Sequence, residues 1–160
     1  MTGDVLLISI RPEYANKIFD GSKTVELRRV RPRLESGDWV LVYVSTPVQA
    51  LVGMFQVDKV VAARPDHLWS LVRSRAGISR EQFDLYYKGT ELGYGIFLKI
   101  TRQLPEPIYL GYLRQLLSGF HPPQSYRYIT SVQASLIGHE SYRFKRRVLL
   151  QQMPSAQRRD

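Results

Sequence analysis

A mixed α+β fold is predicted for these 160 residues, and three observations predict it. Stretches rich in valine, isoleucine and leucine at 5–10, 39–44, 50–62 and 94–100 read as strands. Between them lie segments with apolar residues three and four apart, opened by Pro12, Pro65 and Ser79, which read as helices. Strands and helices interleave with neither an internal repeat nor a low-complexity linker. One domain is therefore expected over residues 1–150, with a flexible polar tail over 151–160.

The first unit is the most informative. Val5–Ile10 is a strand buried on at least one face, and Pro12 stands at a helix first turn, where no N–H partner is needed. Tyr14, Ala15, Ile18 and Phe19 form a short apolar stripe, and Gly21 reads as the C-cap. Thr24 to Arg28 alternates with period two, so Val25 and Leu27 face the core while Thr24, Glu26 and Arg28 share the other face. With Lys23, one surface could carry an ammonium, a hydroxyl, a carboxylate and a guanidinium.

Further on, Pro32 and Ser36-Gly37-Asp38 mark a loop and turn, which makes Arg29 to Arg33 a basic rim rather than a continued strand. Trp39 to Val44 is a strand ended by Ser45-Thr46-Pro47. Ala50 to Ala62 is a longer one, with Gly53 at a bulge or a close backbone approach. A helix follows Pro65. Ser79 caps a second with Gln82 three residues on, the capping-box arrangement. Tyr94 to Ile100 returns as a strand, Leu104 to Pro107 is a turn or extended connection, and Ile108 to Leu117 is helical. Tyr126 to Ile129 follows a stiff Phe120–Gln124 segment, and Ser131 to Ile137 is a last strand or a short helix.

Composition narrows the function classes. The formal net charge is +9, from 23 Lys and Arg against 14 Asp and Glu, a balance that favours anionic partners. Much of it is concentrated at the two ends. Arg11, Lys17, Lys23, Arg28, Arg29, Arg31 and Arg33 stand against Glu13, Asp20 and Glu26; Arg143, Lys145, Arg146, Arg147, Arg158 and Arg159 stand against Asp160. The absence of cysteine excludes disulfides and thiolate metal sites and fits a cytoplasmic protein. His67, His121 and His139 have no ligand-pair spacing, so neither a metal nor another cofactor is expected. No apolar run approaches the length of a membrane span, and no secretory signal is legible at the N-terminus.

Taken together, the first helix, Gly21-Ser22-Lys23-Thr24, Glu26 and Arg28 resemble the opening signature of the ASCH domains, members of the PUA-like superfamily. The agreement continues through Gly37-Asp38, Tyr43 to Pro47, Val52-Gly53 and Tyr94 to Ile100, so it spans roughly residues 5 to 100. That resemblance implies a PUA-like mixed β-barrel of five to seven strands flanked by three or four helices. It also implies a cleft between helix and barrel that receives a phosphate, a nucleotide or an exposed base.

The leading expectation is a nucleic-acid-binding module for RNA or single-stranded DNA, a basic surface around a base-sized pocket. Lys23, Arg28 and Arg29 would supply phosphate contacts, with Arg11, Lys17, Arg31, Arg146 and Arg147 adding to the field. Thr24, Glu26 and Tyr43 could read polar edges, while Tyr126, Arg127 and Tyr128 could stack on bases and clamp a backbone. A plainer reading pairs Glu26 with Arg28 in a cross-strand salt bridge that fixes the sheet. An enzymatic alternative rests on the resemblance to ASCH-like amidohydrolases of acylated cytidine, in which Lys23 would activate Thr24. Glu26, or a distant carboxylate such as Glu81 or Glu91, would complete the set. The substrate would then be a modified nucleoside. Ribonuclease activity and a protein-interaction module are further alternatives.

Overall fold

The computed structural model describes residues 4–140. Six strands form one sheet: β1 (Val5–Ile10), β2 (Val25–Arg28), β3 (Trp39–Val44), β4 (Ala50–Ala63), β5 (Gly93–Tyr109) and β6 (Tyr126–Ile129). Four helices accompany them: α1 (Pro12–Asp20), α2 (Pro65–Val72), α3 (Arg80–Tyr87) and α4 (Leu110–Leu116); residues 131–140 are also helical. Spatial order is β2-β5-β4-β3-β1-β6, with β1 and β3 parallel and every other pair antiparallel. The sheet curls into a half-barrel, an open form of the five- to seven-stranded barrel that the ASCH resemblance implies. The helix at 131–140 makes five helices among the described residues, where three or four are expected.

Alternation along the strands explains the layers. Val40, Val42 and Val44 join Leu6, Ile8 and Ile10 in the inner core, with Ala15 and Ile18 of α1 packed on them. Leu41 and Tyr43 point the other way, into a second core with Leu113, Phe120 and Ile137. A third core, Val25, Leu27 and Phe97 under Leu68, Phe83 and Tyr87, anchors α2 and α3 outside β2 and β5.

Local signals in the sequence reappear in the backbone. Gly21 caps α1 at φ 86°, and Ser79 with Gln82 forms the full capping box of α3. Gly53 is a close approach: a Cβ there would lie 2.5 Å from the Arg102 carbonyl and 2.6 Å from the Phe19 ring, and the ladder irregularities of β4 flank it. Strand β5 is longer than its apolar run implies, continuing through Pro105 and Pro107 to Tyr109. Its pairing with β4 skips from Gln103 to Ile108, so the prolines sit where no ladder donor is needed. The helix after it consequently starts at Leu110 rather than Ile108.

The two edge strands, β2 and β6, share no ladder, and side chains bridge the gap between them. Arg28 donates to Ser9 O at 3.1 Å and to Ser125 Oγ at 3.1 Å. Tyr126 OH donates to Arg31 O, and Tyr128 OH accepts from the Arg33 N–H at 2.7 Å.

Candidate functional site

A cleft of about 550 Å³ opens where this gap meets α1 and α3. Ser9, Ile10 and Arg11 line it from β1 and the turn to α1, and Tyr14 from α1 itself. Lys23, Glu26, Leu27, Arg28 and Arg29 contribute side chains from β2 and its flanks, Gln82, Leu85 and Tyr86 from α3, and Gln124 and Ser125 from the approach to β6.

At its floor lies a buried charge network. Lys23 is 3% exposed, Glu26 6% and Arg28 8%. Lys23 Nζ donates to Ala76 O at 2.7 Å and stands 3.4 Å from Glu26 Oε2, while Arg28 meets Glu26 Oε1 at 2.8 Å. Burial pushes the Lys23 ammonium below its ordinary proton affinity. The Glu26 carboxylate works against that shift, and the positive charges of Arg28 and Lys17 add to it. Arg28 Nε is buried and has no hydrogen-bond partner among the described residues. With Arg11 and Arg29 at the mouth, four cationic side chains face one carboxylate, so the cleft carries a net positive charge among low-dielectric walls.

Aromatic rings stand beside the charges. The Tyr14 ring lies 5.6 Å from Lys23 Nζ, and the Arg29 guanidinium lies 5.1 Å from the Tyr86 ring centre. Tyr86 OH donates to Leu27 O, and burial raises its phenol pKa, so it stays protonated. Leu85, 76% exposed, adds an apolar lip.

Lys23, Glu26, Arg28, Arg29 and Arg11 are thus brought together, but other residues singled out in the sequence go elsewhere. Thr24 Oγ1 accepts from Arg75 Nε at 2.9 Å, outside the cleft lining. Lys17 is spent on Gly77 O at 2.7 Å. Tyr43 does not reach the cleft: period-two alternation turns it to the second core, 2% exposed and edge-on to Phe120. Tyr126 and Tyr128 pack against each other and hold residues 31 and 33, whereas Arg127 points to the opposite face, over Phe120 and on His121 O. Arg31 is exposed away from the cleft lining, as are Glu81 and Glu91. Arg146, Arg147 and the 151–160 tail lie outside the described residues.

Sequence reasoning missed Tyr14, Gln82, Tyr86 and Ser125 as site residues. Gln82, Leu85 and Tyr86 share a helix face at spacings of three and four, a signal that was present. Nothing local to Ser125 announces that it meets Arg28 across the gap.

Comparison with known proteins agrees with this architecture. The ASCH domain family model matches residues 8–100. An ASCH domain-containing ribonuclease of Zymomonas mobilis is 34% identical over 119 residues, 74% of this chain and 80% of that protein. The crystal structure of ASCH from Zymomonas mobilis superposes with a TM-score of 0.80 at 29% identity, covering 85% of this chain and 94% of that one. At 12% identity, human THYN1 protein, solved in complex with DNA containing 5-methylcytosine, shares the fold with a TM-score of 0.55, over 87% of this chain and 98% of that one. Sequence and structure together place the chain in the ASCH domain family.

Proposed function

We propose that this domain binds single-stranded nucleic acid, RNA above all, by drawing one nucleotide into the cleft. The observation that carries the proposal is the Lys23–Glu26–Arg28 network with its surplus positive charge at the floor of a base-sized, aromatic-walled cavity. A phosphate would sit against Lys23, Arg28 and Arg29, and the base against Tyr14, Tyr86 and Leu85. The similarity to a protein named a ribonuclease, and the fold shared with a protein captured on DNA, point the same way. Lys17 is turned inward, as a protein-interaction module would have it, but Arg11 and Arg29 remain at the mouth to meet an anion.

Fluorescence anisotropy with short single-stranded RNA, single-stranded DNA and duplex DNA, across a salt series, tests the reading. Single-stranded RNA should bind tightest, with affinity falling as salt rises. Arg11→Ser and Arg29→Ser should each flatten the logarithmic salt slope by about 0.7, the contribution of one phosphate contact on a single strand. Equal affinity for all three polymers, or slopes unmoved by both substitutions, would refute it.

A second reading, RNA cleavage, is favoured by one feature: an amine of lowered proton affinity beside a carboxylate. The 2′-oxygen would attack the adjacent phosphorus as the bond to the 5′-oxygen breaks. The Lys23–Glu26 pair would take the 2′-hydroxyl proton, the leaving oxygen would be protonated from solvent, and Arg28 and Arg29 would face the growing negative charge. Cleavage of RNA but not of its 2′-deoxy counterpart, ending in a cyclic phosphate, is the expected result; cleavage of both would exclude this route. Amide hydrolysis through Thr24 has less support, because its hydroxyl faces Arg75.

A further inference from the structure

Gln82 occupies the cleft wall in a constrained way. Its Oε1 accepts the Ser79 N–H at 3.0 Å while its own N–H donates to Ser79 Oγ at 3.2 Å. The capping box thereby fixes which way the amide faces. Turning it over would set its NH2 against the Ser79 N–H, donor against donor, and would lose the cap. The amide NH2 takes no part in the cap and is available to a ligand from this side.

The rest of the polar lining has the same character. Lys23 and Arg28 carry donors, and Ser125 Oγ accepts from Arg28, which frees its hydroxyl hydrogen to donate. Glu26 is the acceptor on the floor, and its two oxygens are turned to the two cations. Leu85 and Tyr86, three and four residues after Gln82, place a flat apolar surface on the same helix face. A base lying along that surface would bring the exocyclic group of its ring edge to the Gln82 amide.

We infer that Gln82 is a specificity-determining residue, selecting bases that present a carbonyl at the pyrimidine 4 or purine 6 position, uracil and guanine, over those that present an amino group there, cytosine and adenine. Uracil O4 and guanine O6 are acceptors that pair with the amide NH2, whereas cytosine N4 and adenine N6 would oppose donor to donor. The inference rests on the cleft being the nucleotide site proposed above.

The test compares oligouridylate with oligocytidylate, which share ring size, in anisotropy titrations at one salt concentration. The proteins are the wild type, Gln82→Glu, Lys23→Met and Arg29→Ser, each checked for folding by circular dichroism. Glutamate keeps the capping box, since its carboxylate accepts the same Ser79 N–H, but it replaces the outward donor with an acceptor. Its added negative charge weakens both oligonucleotides alike, so the readout is the ratio of the two Kd values. The wild type should favour uridylate roughly threefold to tenfold, the scale of one hydrogen bond, and Gln82→Glu should abolish or reverse that preference. A wild-type ratio near one, or a preference untouched by Gln82→Glu, would overturn the role of Gln82. In that case, weakening of both oligonucleotides by Lys23→Met and Arg29→Ser would leave the cleft as the binding site. Failure of every oligonucleotide to bind, or indifference to those two substitutions, would remove the cleft reading and this inference with it.

Discussion

The two edge strands of the sheet solve one problem with opposite chemistry. In β2 all four residues are buried, two of them charged, and Glu26 and Arg28 are neutralised against each other and Lys23. In β6 only Ile129 is fully buried, and beyond its ladder with β1 the strand reaches residues 31 and 33 through tyrosine hydroxyls. Both close the open side of the half-barrel. Desolvated charge is costly to leave unmatched, so β2 has little tolerance for change, whereas each tyrosine contributes one neutral hydrogen bond over a ring that packs regardless. A charged edge is consequently a structural commitment before it is a binding surface, and only the charge left over is available to a ligand.

Removing the shared carboxylate should break the comparison most sharply. Glu26→Ala strands two buried cations, one of them with an already orphaned Nε, and should cost about 3–5 kcal/mol in urea unfolding. A cost near that of an exposed ion pair, about 0–1 kcal/mol, would mean that water reaches the network freely.

The same contrast explains what the sequence made legible. Period-two alternation at 24–28 places Glu26 and Arg28 on one face, and they do pair, but along one strand rather than across two. Alternation also determines that Tyr43 points away from Val42 and Val44, so its position in the second core is legible from period two, against its expected role at a polar edge. Periodicity leaves Thr24 undetermined, because Arg75, which holds it, arrives from the turn after α2, about fifty residues later. Ser125 and the Tyr126–Tyr128 contacts with residues 28–33 lie across about ninety-five residues of chain, and no local pattern encodes them. Elements were legible because they follow local periodicity. The site is legible only in its basic part, Arg11, Lys23, Arg28 and Arg29, because the rest forms where the two ends of the sheet meet.

On the β6 side the expected effects are smaller. Tyr128→Phe keeps the ring under the Arg33 guanidinium, 4.6 Å from its centre, and removes the acceptor for the Arg33 N–H. Tyr126→Phe removes the donor to Arg31 O. Each should cost about 0.5–1.5 kcal/mol by urea unfolding, with faster amide exchange at Arg33 in Tyr128→Phe. Losses as large as that of Glu26→Ala would erase the distinction between the two edges.

The smallest effect concerns pH, and its sign follows from Lys23. Burial lowers its pKa from the ordinary 10.5, so between the folded value and 10.5 the native amine has lost its proton while the unfolded one keeps it. Unfolding then takes up a proton, and raising the pH through that window favours the native state. The stability of the wild type relative to Lys23→Met should therefore be flat below the folded pKa, rise as the pH climbs toward 10.5, and level off above it. Groups common to both proteins cancel in the difference, which urea unfolding at stepped alkaline pH can resolve. A difference that falls with pH would mean that Glu26 outweighs burial and holds the ammonium more firmly than water does. In that event β2 would be an edge stabilised by its charges, and Lys23 would have no lowered proton affinity to offer a reaction in the cleft.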